Sequence, residues 1–269
     1  MNVRYIDTHC HLQFPDYAHD RNEIIERMRE EQIAAIVVGV DAESSKEAVA
    51  LAEKHEHLFA AVGIHPNHAG QEPFDEKLFR ELAAHPKVVA LGECGLDFFH
   101  MERNDGTMHA QKELLQKHIA LAAALDKPLI AHVRSKKESR DAYQELISIL
   151  QEAKTTYPKL RGDIHFFAGN IAEAEEFFKL DFTVSFTAVI TFAREYDKII
   201  QAVPLRNILS ETDAPYIAPA SRRGERNDPL AVIDVVSKIA EIRGEDTEKV
   251  RQTLLANAKR VFALPHIEK

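Results

Sequence analysis

The sequence has little cysteine: among its 269 residues only Cys10 and Cys94 occur. Neither their number nor their spacing builds a disulfide framework or a zinc knuckle, so two reduced, packed thiols are expected. No apolar run is long enough to cross a bilayer, and the opening residues, MNVRYIDTHCHL, contain no signal-type apolar segment. Both absences point to a cytoplasmic protein with no membrane partner. Positive charge is in deficit, with 34 Lys and Arg against 43 Asp and Glu and a net charge of −9. Spread evenly, that charge repels a polyanion, so a nucleic-acid substrate would have to be held locally. Divalent cations in one pocket would reverse the field there. Finally, no Gly-rich turn follows the first strand-like segment, which ranks a dinucleotide-binding open sheet well behind other architectures.

What is present is a strict alternation of strand and helix signals. Eight β-rich segments stand at residues 5–12, 34–40, 59–65, 88–98, 128–134, 162–169, 182–190 and 207–213. Between them run stretches such as NEIIERMREEQ, SSKEAVALAEKHE, EKLFRELAAH, QKELLQKHIALAAAL and DAYQELISILQEA, with apolar residues at three- and four-residue spacing. Right-handed crossovers of this kind give a parallel sheet, and eight of them fit a closed (β/α)8 TIM barrel. One domain over residues 1–269 is expected. Two further helical patterns, PLAVIDVVSKIAEI and TEKVRQTLLANAKRVFAL, would cover the last faces.

Chemistry gathers at the strand ends. In the first strand Asp7, His9 and His11 alternate with Ile6, Thr8 and Cys10, and the two-residue period of a strand turns His9 and His11 to one side. Two imidazoles so placed can bind one metal ion through neutral nitrogens, although a hydrogen-bonded core pair has the same pattern. Glu93 lies at the end of the fourth strand, His132 ends the fifth, His165 is in the sixth and Asp213 ends the eighth. Barrel active sites sit at those ends, so four more strands deliver metal-ligand side chains to one rim. A carboxylate can bridge two cations. Glu93 is therefore the natural link between one ion on His9 and His11, completed by Asp213, and another on His132 and His165. Two cations about 3.5 to 4 Å apart can share a hydroxide nucleophile and stabilise attacking and leaving oxygens. Hydrolysis on such a site needs no organic cofactor.

Other residues carry two readings each. His65, at the end of the third strand, fits a substrate or phosphate contact, with a solvated loop histidine as the rival; His68 reads as surface. Glu211 shares the parity of Asp213 and either orients a ligand or is a plain structural carboxylate. Arg134 and the loop arginines Arg222, Arg223 and Arg226 would suit phosphate, although a loop arginine is ordinarily just solvated. The pairs Phe98 with Phe99 and Phe166 with Phe167 either stack on bases or belong to the core.

These residues resemble the TatD family of metal-dependent DNases nearly end to end: YIDTHCHL, VGIHP, LGECGLDFF before a helix led by Gln111, the His132-x-Arg134 pair, HFFAG at His165, SETDAPYIAP, RRGERNDP, and the helix of Asn257. The resemblance implies a (β/α)8 hydrolase with two divalent metals that cleaves DNA phosphodiesters, often from 3′ to 5′. It maps the metal ligands onto His9, His11, Glu93, His132, His165 and Asp213, gives His65 a further active-site role, and makes Asp213 the proton acceptor for the nucleophilic water. Two motifs depart from it: HFFAG lacks the usual Cys and Ser, and Cys94 replaces an aliphatic residue. The stretch from Ser135 to Arg161, with Lys136, Lys137 and Arg140 near its start, is longer than usual and bears on substrate preference.

The leading expectation is thus a metal-dependent deoxyribonuclease, probed through catalytic Asp213 and Glu93, with His65, Arg134 and Arg223 on the substrate and with Mg2+, Mn2+ or Zn2+ as cofactor. A monomer with DNA as its partner is expected. The rivals are an amidohydrolase or esterase on the same metals, such as an aminoacyl-tRNA deacylase, and a non-catalytic metal-binding scaffold. A small apolar pocket without phosphate-binding groups would mark the first rival, and partner contacts that survive loss of Asp213 the second.

Overall fold

Eight parallel strands pair in the order in which they occur: β1 (Tyr5–Cys10), β2 (Ile33–Val38), β3 (Leu58–Val62), β4 (Val88–Asp97), β5 (Leu129–Arg134), β6 (Gly162–His165), β7 (Phe182–Phe186) and β8 (Ile208–Ser210). The computed structural model describes residues 2–100, 104–136 and 139–264. The helices are α1 (Arg21–Glu30), α2 (Ala42–Lys54), α3 (Glu76–Ala83), α4 (Asp105–Leu125), α5 (Asp141–Thr156), α6 (Ile171–Lys179), α7 (Asp197–Ala202), α8 (Val232–Arg243) and α9 (Thr247–Phe262). Helix starts are written locally: Asp41 accepts from the Ser44 N–H ahead of α2, and Asn170 and Glu173 form a reciprocal capping box on α6.

Strands such as β2, IAAIVV, are buried at every position, as a sheet covered on both faces requires. Ile33, Ala35 and Val37 join the layer between sheet and helices. Ala34, Ile36 and Val38 join a second cluster with Ile6, Phe59, Ala61, Ala90, Ile130 and Leu209. That second cluster fills the lower barrel, and Ala258, Val261 and Phe262 of α9 pack into it. The opposite end is left for polar side chains.

Between β1 and β8 no regular ladder forms among the described residues, and the seam is stitched otherwise. The Asp213 N–H donates to the His9 carbonyl at 2.9 Å and the His11 N–H to that of Ala214 at 2.7 Å. Thr8 Oγ1 donates to the Ser210 carbonyl, and the buried Asp7 carboxylate accepts from the Thr212 N–H and hydroxyl. The strands are shorter than their sequence patterns: β3 stops before His65, which caps a 3-10 turn, and β8 stops before Asp213.

Candidate metal centre

Two irregularities in the sheet set the centre. Between Asp7 and Cys10 β1 gains one residue on β2, and between Leu91 and Cys94 β4 gains one on β5. Such bulges re-aim side chains at barrel rims. Glu93 sits in the second bulge, between Gly92 and Gly95, both at φ +142°. A Cβ on Gly92 would lie 2.4 Å from the Ile130 carbonyl oxygen, and one on Gly95 2.0 Å from that of His132. Glycine alone lets β4 press this closely on β5 while Glu93 turns inward.

The six residues expected as ligands come together. Glu93 Oε2 stands 3.4 Å from His9 Nε2 and 3.9 Å from His11 Nε2, while Oε1 stands 2.9 Å from His132 Nδ1 and 3.9 Å from His165 Nε2. Its two oxygens thus face two separate imidazole pairs. Asp213, held at φ +54° beyond β8, places Oδ1 3.5 Å from His11 Nε2, 3.9 Å from His9 Nε2 and 3.8 Å from His165 Nε2.

Second nitrogens fix the rings. His11 Nδ1 donates to the Val38 carbonyl at 2.8 Å, which turns Nε2 towards Glu93 and Asp213. His165 Nδ1 meets Glu211 Oε2 at 3.0 Å; Glu211 is fully buried and also accepts from the Phe166 N–H and the Ser185 hydroxyl. His132 Nε2 lies 3.2 Å from Asp97 Oδ2. Carboxylate partners of this kind orient ligating imidazoles. His9 stacks on His165 at 3.5 Å, and its buried Nδ1 has no hydrogen-bond partner among the described residues.

His65 is different: its Nδ1 accepts the Asn67 N–H, so the proton sits on Nε2, 3.4 Å from Glu93 Oε1. A protonated nitrogen cannot ligate, but it can donate to a substrate oxygen.

The electrostatics follow from crowding four histidines around carboxylates. Burial opposes charge on His165, yet Glu211, Asp213 and Glu93 outweigh it and push its pKa up to about 10. His11 and His132 are also raised against burial, by Asp213 and by Asp97 and Glu93 respectively. Burial lowers His9, and the positive field of His165 adds to that. His65 is lowered to about 3, chiefly by burial, and is neutral. Against the cost of burial, neighbouring histidines hold the Glu93 carboxyl well below its usual range.

Two nitrogens bound to one tetrahedral zinc at about 2.0 to 2.1 Å are about 3.3 Å apart, and His9 Nε2 and His11 Nε2 are separated by 3.3 Å. The raised histidines hold protons that a bound cation would displace, and imidazoles converging with ionised carboxylates in this way fit a divalent cation. His9, His11 and Glu93 form one cluster able to hold an ion, and Glu93, His132 and His165 form another.

Several residues stand elsewhere than the sequence suggests. Asp97, which carries no role in the sequence pattern of LGECGLDFF, is fully buried and holds both His132 and, at 2.7 Å, His100. Its parity with Glu93 on one strand was the available signal. His68, expected at the surface, lines the central cavity of about 440 Å3, as do Phe14 and Tyr216 from loops. Arg134 lines it too. The loop arginines divide: Arg222 pairs with Asp228 and Arg226 with Asp20. Arg223 stacks on Phe192 at 3.9 Å and lines neither the central cavity nor its neighbour. Phe98 and Phe167 are core, whereas Phe99 and Phe166 face cavities. Lys137 lies outside the described residues.

Known proteins resemble this chain over nearly its whole length. A family model described as TatD related DNase matches residues 6–263. The uncharacterized metal-dependent hydrolase YabD of Bacillus subtilis is 35% identical over 96% of this chain and 98% of its own. A protein of Erwinia tasmaniensis named 3′-5′ ssDNA/RNA exonuclease TatD is 32% identical over 96% of this chain and 99% of its own. The crystal structure of the Escherichia coli TatD homolog YjjV superposes with a TM-score of 0.87 at 31% identity, covering 98% of this chain and all of the other. With its family model matched from the first strand to the last helix, the chain belongs to the TatD-related DNases, a family of metal-dependent hydrolases.

Proposed function

We propose that this chain hydrolyses phosphodiester bonds of DNA, removing nucleotides from the 3′ end, with two divalent cations in the centre. The observation that carries this reading is the Glu93 carboxylate, whose two oxygens face separate imidazole pairs. The similarity to a relative named as a 3′-5′ exonuclease supports the direction. His9, His11 and Asp213 would hold one ion, His132 and His165 the other, and Glu93 would join both. Such ions supply Lewis-acid polarisation of the phosphoryl oxygen and of the attacking water.

The chain's own residues do the rest. Asp213, buried but lining the central cavity, takes the proton released by the attacking water. His65 donates its Nε2 proton to a non-bridging phosphate oxygen. Glu211 and Asp97 keep the His165 and His132 rings from rotating away. Arg134, exposed at the rim, neutralises phosphate charge. The anionic surface elsewhere keeps the polyanion from binding away from the mouth.

The test is digestion of 5′-labelled single-stranded DNA, duplex DNA and RNA by metal-stripped protein resupplied with Mg2+, Mn2+ or Zn2+, beside Glu93→Ala and Asp213→Asn. A ladder shortening from the 3′ end, absent in both variants, is expected. Intact substrates with every metal would overturn the proposal and favour a carbonyl substrate on the same ligands.

A further inference from the structure

Beside the metal centre lies a second cavity of about 630 Å3. It shares His132, Arg134, His165, Phe166 and Ile217 with the first, so the two form one continuous trough. We infer that this second cavity binds the neighbouring nucleotide of a single strand, its base against Phe99, Phe166 and Tyr196 and its phosphate on Arg134 and Lys136. The inference rests on the phosphodiesterase reading for what occupies the adjoining centre.

Aromatic walls make the first part of the case. Phe99 is 45% exposed, a costly position for a large apolar ring with no ligand to cover it. Its position is nevertheless fixed, because its N–H donates to Asp97 Oδ1 at 2.8 Å. Phe166 is held at φ +47°, with its N–H on Glu211 Oε1 at 2.7 Å, and its side chain lines both cavities. The carboxylates that steady His132 and His165 therefore also set the two rings that frame the trough. Tyr196 closes the far wall, packed edge-on against Phe186.

Charge makes the second part. Arg134 and Lys136 are exposed and form no ion pair among the described residues. Their neighbour Arg140 is clamped on Glu173 and lines the cavity with Tyr143, whose hydroxyl accepts from the Ala168 N–H. Arg134 lies 4.6 Å over the Phe99 ring, a stacked guanidinium with its edge still open to phosphate. Glu195 is the acid on this lining and repels a phosphate at the outer edge. The phosphate is thereby directed towards Arg134 and Lys136.

Cations interleaved with aromatic faces are the recognition pattern for unpaired bases, since every base has a π-face whatever its identity. In a duplex both faces of a base are covered by neighbours. The trough therefore selects a single strand and adds affinity with each base beyond the one at the scissile bond.

The test measures binding and turnover separately. Binding of fluorescein-labelled d(T)6 and of a 12-base-pair duplex to the full chain is followed by anisotropy before metal addition. Turnover of d(T)6 and of thymidine 5′-monophosphate p-nitrophenyl ester is followed after it. Phe99→Ala and Lys136→Ala should each weaken d(T)6 binding about ten-fold, Phe99→Tyr should restore it, and kcat/KM should fall far more on d(T)6 than on the one-nucleotide ester. Unchanged d(T)6 binding in both variants, equal binding of the duplex, or no d(T)6 binding by the unaltered chain would each overturn the inference. Phe99-dependent binding without cleavage under any metal would uphold the trough and reject the phosphodiesterase reading.

Discussion

Two histidines mark the chain just past β3, one bonded to the backbone of Ile64 and the other the residue that follows it. His118 of α4 accepts the Ile64 N–H on Nε2 and bonds the Leu114 carbonyl through Nδ1. His65 anchors one nitrogen on Asn67 and turns the other towards Glu93. Lysine and arginine divide the same way. Lys87, at the lower end of β4, donates to the carbonyls of His55, Glu56 and Leu58, whereas Arg134 and Lys136 at the mouth have no carboxylate partner among the described residues. Residue type does not separate structure from chemistry here; bonding capacity left unsatisfied does.

The sharpest break of that contrast is Glu93→Ala. It should lower kcat/KM on the order of 10^3-fold, since several kcal/mol of charge stabilisation depend on the centre. Activity surviving this change would remove Glu93 from the centre.

His118 supplies the opposite case. Burial lowers its pKa to about 4 from the usual 6.5, so the folded protein binds fewer protons than the unfolded chain between those values. Its stabilising contribution is complete above pH 6.5 and is lost as the pH falls towards 4, by about 3 kcal/mol. Urea midpoints across that window should decline less steeply in His118→Gln than in the unaltered chain, and parallel declines would show that His118 is not the group titrating.

Next in size is Asp97→Asn, which keeps shape but weakens the hold on His132. Metal affinity, read by competition with a chelating dye, should fall about 10- to 100-fold, with kcat at saturating metal much less affected. No change in affinity would assign Asp97 to loop structure through Phe99 and His100 alone. Lys87→Met should cost about 2 kcal/mol of stability through its lost carbonyl bonds and leave specific activity intact. Lys136→Ala should fall within about 0.5 kcal/mol of the unaltered stability, and a comparable loss at both lysines would dissolve the contrast.

Much of this was legible in the sequence because a barrel ties position to role. Strand ends carry function, and His9, His11, His132, His165 and Asp213 fall at or just past strand ends. Parity was less dependable. It placed His9 and His11 together, yet Ile6, of the opposite parity, also points into the barrel, because the bulge between Asp7 and Cys10 shifts the phase of the strand. Asp97 was open to the same parity argument as Glu93, four residues along one strand. Phe14, His68 and Tyr216 were not, since nothing in a loop's composition says which way it folds over a cavity. Three arginines in one loop looked alike, and only the positions of Asp20 and Asp228 in space distinguish Arg223 from its neighbours.

The seam between the first and last strands gives the centre a schedule. His9 and His11 belong to the first strand and its end, and Asp213 arrives about two hundred residues later, across a junction that lacks a regular ladder among the described residues. A polypeptide still emerging from the ribosome can pair β1 to β2 and each later strand to its predecessor. It cannot bring His9, His11 and Asp213 together until the eighth strand has been made. A cluster divided between the first and eighth strands stays unassembled until the barrel can close.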